Sequence, residues 1–549
     1  MDLAAIKHLP LLILVAGSLT ACAHRPSSEA DAGKPLIGRY EISTIPVPGD
    51  LVVRSATYTP SGKVLVSYAI DGNQDEHQLN LAVMNDDGTN LHTFFSQKVP
   101  AREKDNGIRF MVFPDNRRIF LGDFIVECAT MLDHCENPAL LPVQYPAQVA
   151  GGDDIAHRWS EMVVAPDDRH IAWTTLLANY SAMVFTGELQ KEGAAYKIVN
   201  AQIVSTLDPF DPDPAHPDGV LPKPVRGGEV KQFVHGGTAL SVVGAVHRDV
   251  PDSVVQDLIT GRVQAITDTP GYTETTIFSP DERLGITMTT RFSEKTDPAI
   301  LGLLPRPYPD SLNMGLSMFA YTYAVTGVRR AREGNIGPAL IDIGASKSQA
   351  NYLGIDLSTD KDWVYHSPMS WRPDGKKAMW MEGQRSGGPA RIRVVNLPDY
   401  QPAAPVAAKS TPDPVSYGSS DLSVVKQYAS ASHDIDVKVY GRTSGYIQYR
   451  RTVNGVIEKT YVDFSNDGQQ IYSGSERMQA NPRGRSTYTA QIKLAGSKPG
   501  AMDLKMTFGP LGGKLPAQIV FTADEAGTPL THGYAEYDGR RIDVDTLVP

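Results

Sequence analysis

Phe278-Ser279-Pro280-Asp281-Glu282-Arg283 is one copy of a turn that returns along the whole chain. Earlier copies read Thr59-Pro60-Ser61-Gly62-Lys63, Phe113-Pro114-Asp115-Asn116-Arg117 and Ala165-Pro166-Asp167-Asp168-Arg169, and a later one reads Trp371-Arg372-Pro373-Asp374-Gly375-Lys376. Each copy separates two short apolar runs. Proline presets φ at the second turn position, and Asp or Gly tolerates the reversal that follows. A hairpin turn recurring at intervals of roughly 50 residues is the signature of a propeller blade.

The first three turn prolines fall about one blade apart, and the later gaps leave room for more than one. Lys231-Gln232-Phe233-Val234-His235-Gly236-Gly237 fits between the third and fourth copies as a degenerate turn without its proline. A second signal, strands joined at a glycine, occurs at Asp257-Leu258-Ile259-Thr260-Gly261-Arg262-Val263, at Tyr323–Arg329 around Gly327, and more loosely at Met84–Gly88. The two signals mark the inner and outer hairpins of four-stranded blades. The count is six, with seven left open by Pro338–Ile343 and Tyr352–Leu357, which read as an incomplete blade or an elaboration of the fifth. Tyr40–Thr44 is expected to complete the last blade and so remove exposed sheet edges.

This turn pattern resembles the TolB-type, WD40-like (PD40) β-propeller repeat, also found in the propellers of prolyl-oligopeptidase relatives. The resemblance covers roughly residues 40–400 and implies a fold rather than a reaction. The expected class is all-β: a six-bladed or seven-bladed propeller over 37–400, a Pro/Ala-rich linker over 401–416, and a C-terminal β-rich domain over 417–549, a β-sandwich or small barrel. The linker composition favours an extended run that builds no core. A prolyl-oligopeptidase relative would carry a hydrolase domain with a GxSxG elbow. Gly441-Arg442-Thr443-Ser444-Gly445 has the wrong first spacing, and His532 is the single histidine beyond it.

The apolar run Leu9–Ala16 ends at Leu19-Thr20-Ala21-Cys22. This resembles a bacterial lipoprotein signal, and the run is too short to span a bilayer. The resemblance implies a signal peptide over 1–21, lipidation of Cys22, and a flexible tether over 22–36. It implies a Gram-negative cell envelope, with Ala23 leaning towards the outer membrane, facing the periplasm. The formal net charge of −10 argues against a nucleic-acid footprint. Hydrophobic content of 41% with 21% charged residues is ordinary for a globular chain. Once Cys22 is set aside, Cys128 and Cys135 form an even pair, read as a disulfide of an oxidising compartment. The rival is a metal site adding His134, for which three ligands on one short loop is a weak pattern.

Candidate channel ligand-binding residues are His157, Arg158, Glu229, His235, Glu274, Arg291, His366 and Glu382, with Glu161 a similar case. His157, His235 and His366 fall near inner strands and together would suit a metal, although no HxH spacing supports one, and the charged residues would face the channel to bind a charged ligand. Solvated or paired structural charges are the bland alternative. Asp208–Gly219 is acidic and proline-rich: a calcium loop or, more simply, an exposed insertion. Residues 299–318 form an apolar insertion suited to covering a propeller mouth, presenting a partner surface, or packing on its own blade. No catalytic constellation and no cofactor is expected. The resulting reading is a lipid-anchored envelope propeller acting as a non-catalytic binding or scaffold module for a protein partner. The alternatives are a propeller-channel lyase or hydrolase acting on a carbohydrate or peptide, and a ligand-binding lipoprotein serving an outer-membrane transporter.

Overall fold

The turn copies share one local design in the computed structural model. In each, two backbone bonds close the hairpin, as with Ser279 N to Leu284 O (2.9 Å) and Glu282 N to Ser279 O (2.8 Å). The residue after the turn aspartate then takes a left-handed φ: Asn116 at 55°, Asp168 at 60°, Glu282 at 55° and Gly375 at 69°. Four residues lie between the bonded pair in these copies, a hairpin loop built around a type I turn, and Thr59 to Lys63 encloses three. The aspartate holds the turn from inside. Asp115 Oδ1 accepts from the amides of Arg117 (2.8 Å) and Arg118 (3.2 Å), and Asp167 Oδ1 accepts from Arg169 and His170, both at 3.0 Å. In the proline-free fourth copy, His235, Gly236 and Gly237 all have positive φ (57°, 74° and 106°), so glycine replaces the preset that proline supplies elsewhere.

The structure describes residues 36–49, 51–70, 77–100, 110–150, 155–160, 162–177, 182–292, 298–308, 328, 336–358, 360–430, 434–481, 484–510 and 519–548. Cys22, the signal and nearly all of the tether, Glu161, and the Tyr323–Arg329 turn apart from Val328 lie outside them.

These hairpins build six blades. Blade one is Leu51–Tyr58, Val64–Ile70, Gln78–Met84 and His92–Lys98. Blade two is Phe110–Val112, Arg118–Leu121, Phe124–Glu127 and Ala139–Gln144. Blade three has Ile155–Ala156 and Val163–Val164 inside His170–Leu177, then Ala182–Glu192 and Ala195–Ile203. Blade four is Glu229–Val234, Ala239–Gly244, Asp252–Asp257 and Val263–Ala265. Blade five is Thr273–Phe278, Leu284–Thr289, Gly337–Asp342 and Ile355–Asp356, so the segment left open as a seventh blade supplies the outer strands of the fifth. Blade six is Trp363–Trp371, Lys377–Gln384 and Arg391–Asn396, completed by Glu41–Ile45 in the register Glu41↔Asn396 to Ile45↔Ile392. Blades two and three merge into one sheet through a parallel pairing, Tyr196↔Val143 and Lys197↔Gln144.

Antiparallel alternation puts every Pro-Asp turn and every outer glycine turn on one face, called here the turn face. Blade-to-blade connections emerge on the opposite face. The C-terminal strands, from Ile435–Tyr440 to Arg540–Asp543, form one continuous eight-stranded antiparallel meander. Of the sandwich and small barrel left open by the sequence, a single sheet with one apolar face is the barrel-like outcome. Ser486–Ala495 alternates buried and exposed along its length, with Tyr488, Ala490, Ile492 and Leu494 inside.

Two propeller insertions fill and flank that sheet. The described part of the 299–318 insertion leaves its own blade and carries Arg306 inside the meander. There Arg306 Nε lies 3.2 Å from Glu476 Oε1 and 3.6 Å from Asp249, and Tyr488 Oη donates to Glu476 (2.7 Å). Lys459 joins the cluster, 3.5 Å from Asp249. The acidic stretch becomes a hairpin, Phe210–Pro212 with Val220–Pro222, docked on the first meander strand. Its carboxylates are spent on protein partners: Asp213 on His216 (2.8 Å), Asp211 on Lys223 (3.0 Å) and Asp218 on Lys438 (2.8 Å). Residues 401–416 do run extended, but not free. Their amides bond across the turn face: Ala403 N to Asp281 (3.0 Å), Val406 N to Pro280 O (2.8 Å), Lys409 N to Gly236 O (2.8 Å), Thr411 N to Asp167 (3.2 Å) and Val415 N to Gln202 (2.7 Å). The segment is therefore a strap over blades five, four and three.

Burial raises the cost of the Glu476 charge, yet Arg306 and Lys459 hold its carboxyl well below the usual range. A depressed carboxylate stabilises above its unfolded pKa and loses that contribution as pH falls through the folded one. Arg306→Met, which removes the guanidinium shared by Glu476 and Asp249 and leaves Lys459 beside both, is expected to cost about 3–5 kcal/mol in urea unfolding at pH 7, and less at pH 3. Asp281, buried and bonded to Tyr400 Oη (2.6 Å) as well as to the strap, separates from its exposed counterpart Asp374. Asp281→Ala should cost about 2–4 kcal/mol and Asp374→Ala about 1 or less, read from denaturation midpoints.

Candidate functional site

The innermost strand of each blade immediately precedes its Pro-Asp turn, so the six inner strands meet around the central axis. Side-chain bridges fix their spacing. Tyr58 N donates to Ser370 Oγ (2.9 Å), Trp371 Nε1 to Ile277 O (2.9 Å), Val230 N to Thr174 Oγ1 (2.9 Å), and Phe278 N to Gln232 Oε1 (2.8 Å). On the turn face, Asp115 N donates to Asp168 (3.0 Å) and Ser61 Oγ to Asp133 (2.8 Å). All six blade junctions thus carry a named polar bridge.

Inside this ring lies a cavity of about 340 Å³. Every blade contributes wall. Pro60, Pro114, Pro280 and Pro373 rim its turn-face end, with Phe110, Met111, Ile277, Tyr365 and Trp371 among the apolar and aromatic walls. Thr57, Thr59, Thr275 and Ser370 add hydroxyls. A single charged side chain, Lys231, belongs to the wall among the described residues. It is 8% exposed and held by two carboxylates, Glu229 at 2.8 Å and Glu274 at 2.9 Å. Tyr272 Oη donates to the second oxygen of Glu274 (2.8 Å). The wall therefore offers contact area and hydrogen bonding, with its one cation already compensated.

None of the eight residues singled out from the sequence lines this cavity. Glu229 and Glu274 reach it indirectly by holding Lys231. His157 and Arg158 are buried against Asp123, at 2.9 and 3.4 Å, where Tyr145 packs edge-on to the imidazole. His235 sits in the blade-four turn, its amide bonded to Glu282 and its ring 3.8 Å from the same carboxylate. Arg291 follows the second strand of blade five and donates to Tyr352 O (3.1 Å) and Thr273 Oγ1 (3.3 Å). His366 lies exposed in the blade-six inner strand, against Gly383. Glu382 accepts from Trp380 (2.8 Å) and Arg391 (2.7 Å) on the second strand of that blade. The three histidines belong to different neighbourhoods, and among the described residues no cluster of His, Cys, Asp or Glu is arranged to hold a metal. Cys128 and Cys135, both buried, place their sulfurs 1.99 Å apart. The lining residues had a sequence signal: they occupy the few positions before each turn proline, and selecting charged residues passed over them.

No family model matches the chain, and no curated protein matches it. Among solved structures it is similar to a protein assigned as TolB from Agrobacterium tumefaciens, with 10% identity over 56% of this chain and 80% of the other, TM-score 0.32. It is also similar to TolB from Acinetobacter baumannii, with 13% identity over 64% and 65%, TM-score 0.29. Prolyl oligopeptidase B from Galerina marginata shares 8% identity over 75% and 47%, TM-score 0.27. These scores are low, and the propeller assignment rests on the six sheets themselves.

Removing Lys231 tests the compensated wall. Lys231→Met removes the ammonium group held between Glu229 and Glu274, at an expected cost of about 2–4 kcal/mol in urea unfolding at pH 8.

Proposed function

We propose that the protein is a lipid-anchored propeller of a Gram-negative cell envelope that binds a protein partner without catalysing a reaction on it. The observation that carries this reading is the cavity: six inner strands present apolar, aromatic and hydroxyl groups, and Lys231, the one charged wall group among the described residues, is neutralised within the protein. A site of about 340 Å³ is at the small end of the range for ligand pockets, and its proline rim is stiff and apolar. Such a mouth suits an extended segment of a partner inserted from the turn face, recognised by contact area and backbone hydrogen bonds. The inward packing of Arg306 leaves the C-terminal meander a scaffold element rather than a second ligand cup. The lipobox-like run supports anchoring through Cys22, with 22–36 as the tether. The paired sulfurs of Cys128 and Cys135 support a disulfide formed after export.

Cys22→Ala should release the protein from the membrane fraction, and wild type found soluble would overturn the anchoring. A photo-crosslinking residue at Ile277 should yield one discrete protein adduct in the envelope. Filling the cavity with Thr275→Trp should abolish the adduct, while a probe on the outer strand of blade one should yield none. An adduct that survives the filled cavity would remove the channel from the reading.

A further inference from the structure

The strap is fastened at blade three by an arrangement whose geometry depends on a proton. His170, buried beside the Pro-Asp turn, places Nδ1 2.7 Å from Asp167 of its own turn and Nε2 3.4 Å from Asp413 of the strap. A neutral imidazole carries one N–H, so it cannot donate to both carboxylates. The doubly protonated ring satisfies both. We propose that the His170 imidazolium is a latch that fastens the strap to the propeller and releases it on deprotonation.

The surrounding charges agree with this assignment. From its own turn His170 faces Asp167, and Arg169 adjoins it in sequence. From the next strand it faces Glu188, its partner in register, which is paired to Arg169 at 2.7 Å. From the strap it faces Asp413. Three carboxylates and one guanidinium make the local field negative and favour the charged ring. The hydrogen bond to Asp167 holds the His170 pKa above the usual imidazole range, although burial opposes this. Asp167 also accepts from the Thr411 amide at 3.2 Å, and Asn200 reaches Asp413 at 3.4 Å. The shorter Nδ1 contact keeps its proton longer, so loss from Nε2 turns a lone pair towards the Asp413 carboxylate and breaks the strap contact first. A raised imidazole pKa stabilises at low pH and loses its contribution as pH rises through the folded value. The latch is closed in mild acid and opens towards alkaline pH.

The consequence reaches the cavity rim. The strap bonds Pro280, a rim residue, and Pro402 lies beside Gly375 of the blade-six turn, next to the rim residue Pro373. A strap loosened at Asp413 is then held next to the mouth by its bonds to Gly236, Pro280 and Asp281.

Amide hydrogen exchange of the full chain, corrected for intrinsic exchange and followed by mass spectrometry from pH 5.5 to 9, reads the latch directly. In wild type, peptides covering 405–416 should lose protection severalfold across the titration, because the imidazolium that fastens Asp413 is lost as pH rises. The strand His170–Leu177 should stay protected throughout, which separates strap release from unfolding. His170→Gln, which cannot carry the charge, and Asp413→Asn, which removes the partner, should each give a pH-independent profile with the strap already loosened. If His170→Gln does not fold, Asp413→Asn carries the same test. Strap protection that is pH-independent in wild type, or a wild-type profile persisting in Asp413→Asn, would overturn the latch.

Discussion

The constraint on which the rest depends is ring closure. A four-stranded blade cannot bury both of its faces alone, so each must pack against two neighbours, and the last must meet the first. Glu41–Ile45 achieves this by entering blade six as its outermost strand, which joins the beginning of the described chain to its 390s. Polar bridges then set the angle between blades. Trp371 reaching the Ile277 carbonyl and Gln232 clasping both backbone groups of Phe278 are directional, whereas the apolar packing behind them is not. The recurrent aspartate has two duties in this scheme. It closes its own turn, and at Asp281 and Asp167 it reaches beyond it to hold the strap.

The C-terminal meander depends on the propeller in turn. Its concave face receives a buried ion cluster centred on Arg306, which arrives from a connection inside blade five. Buried pairs of this kind add little net stability over apolar packing, but they penalise any arrangement that leaves one partner alone. The meander and the propeller therefore share one polar core. With the docked 210–222 hairpin and the strap, three separate segments bind the two β units together, from both faces of the ring.

Much of the architecture was legible because turn chemistry is local. Pro-Asp spacing and the glycine turns of blades one and four act within a few residues, and each could be read from side-chain type. The outer strands of blade five were harder, since a long insertion separates Leu284–Thr289 from Gly337–Asp342 and hides the blade period. The site was legible in place but not in membership. Charged residues such as Arg158, Glu382 and Arg291 attract attention in a sequence, yet each is held by protein partners away from the cavity, and no pattern announces such pairing. The apolar and hydroxyl residues before each proline look like ordinary strand. The strap was recognised as extended, but backbone amides that bond to distant turns leave no compositional trace.

The fusion of blades two and three has a mechanical consequence. Backbone hydrogen bonds across Tyr196↔Val143 make that seam as stiff as the interior of a sheet. The strap ties the seams between blades three and six, so they cannot part without stretching it. Blade one alone has neither device on either side. It is held through Asp133 towards blade two and through Asp86, which pairs with Lys377 at 2.7 Å, towards blade six. The compliance of the ring is thereby concentrated in one wedge, and a molecule that widened the central passage would do so by swinging that wedge outward like a gate leaf on two polar hinges.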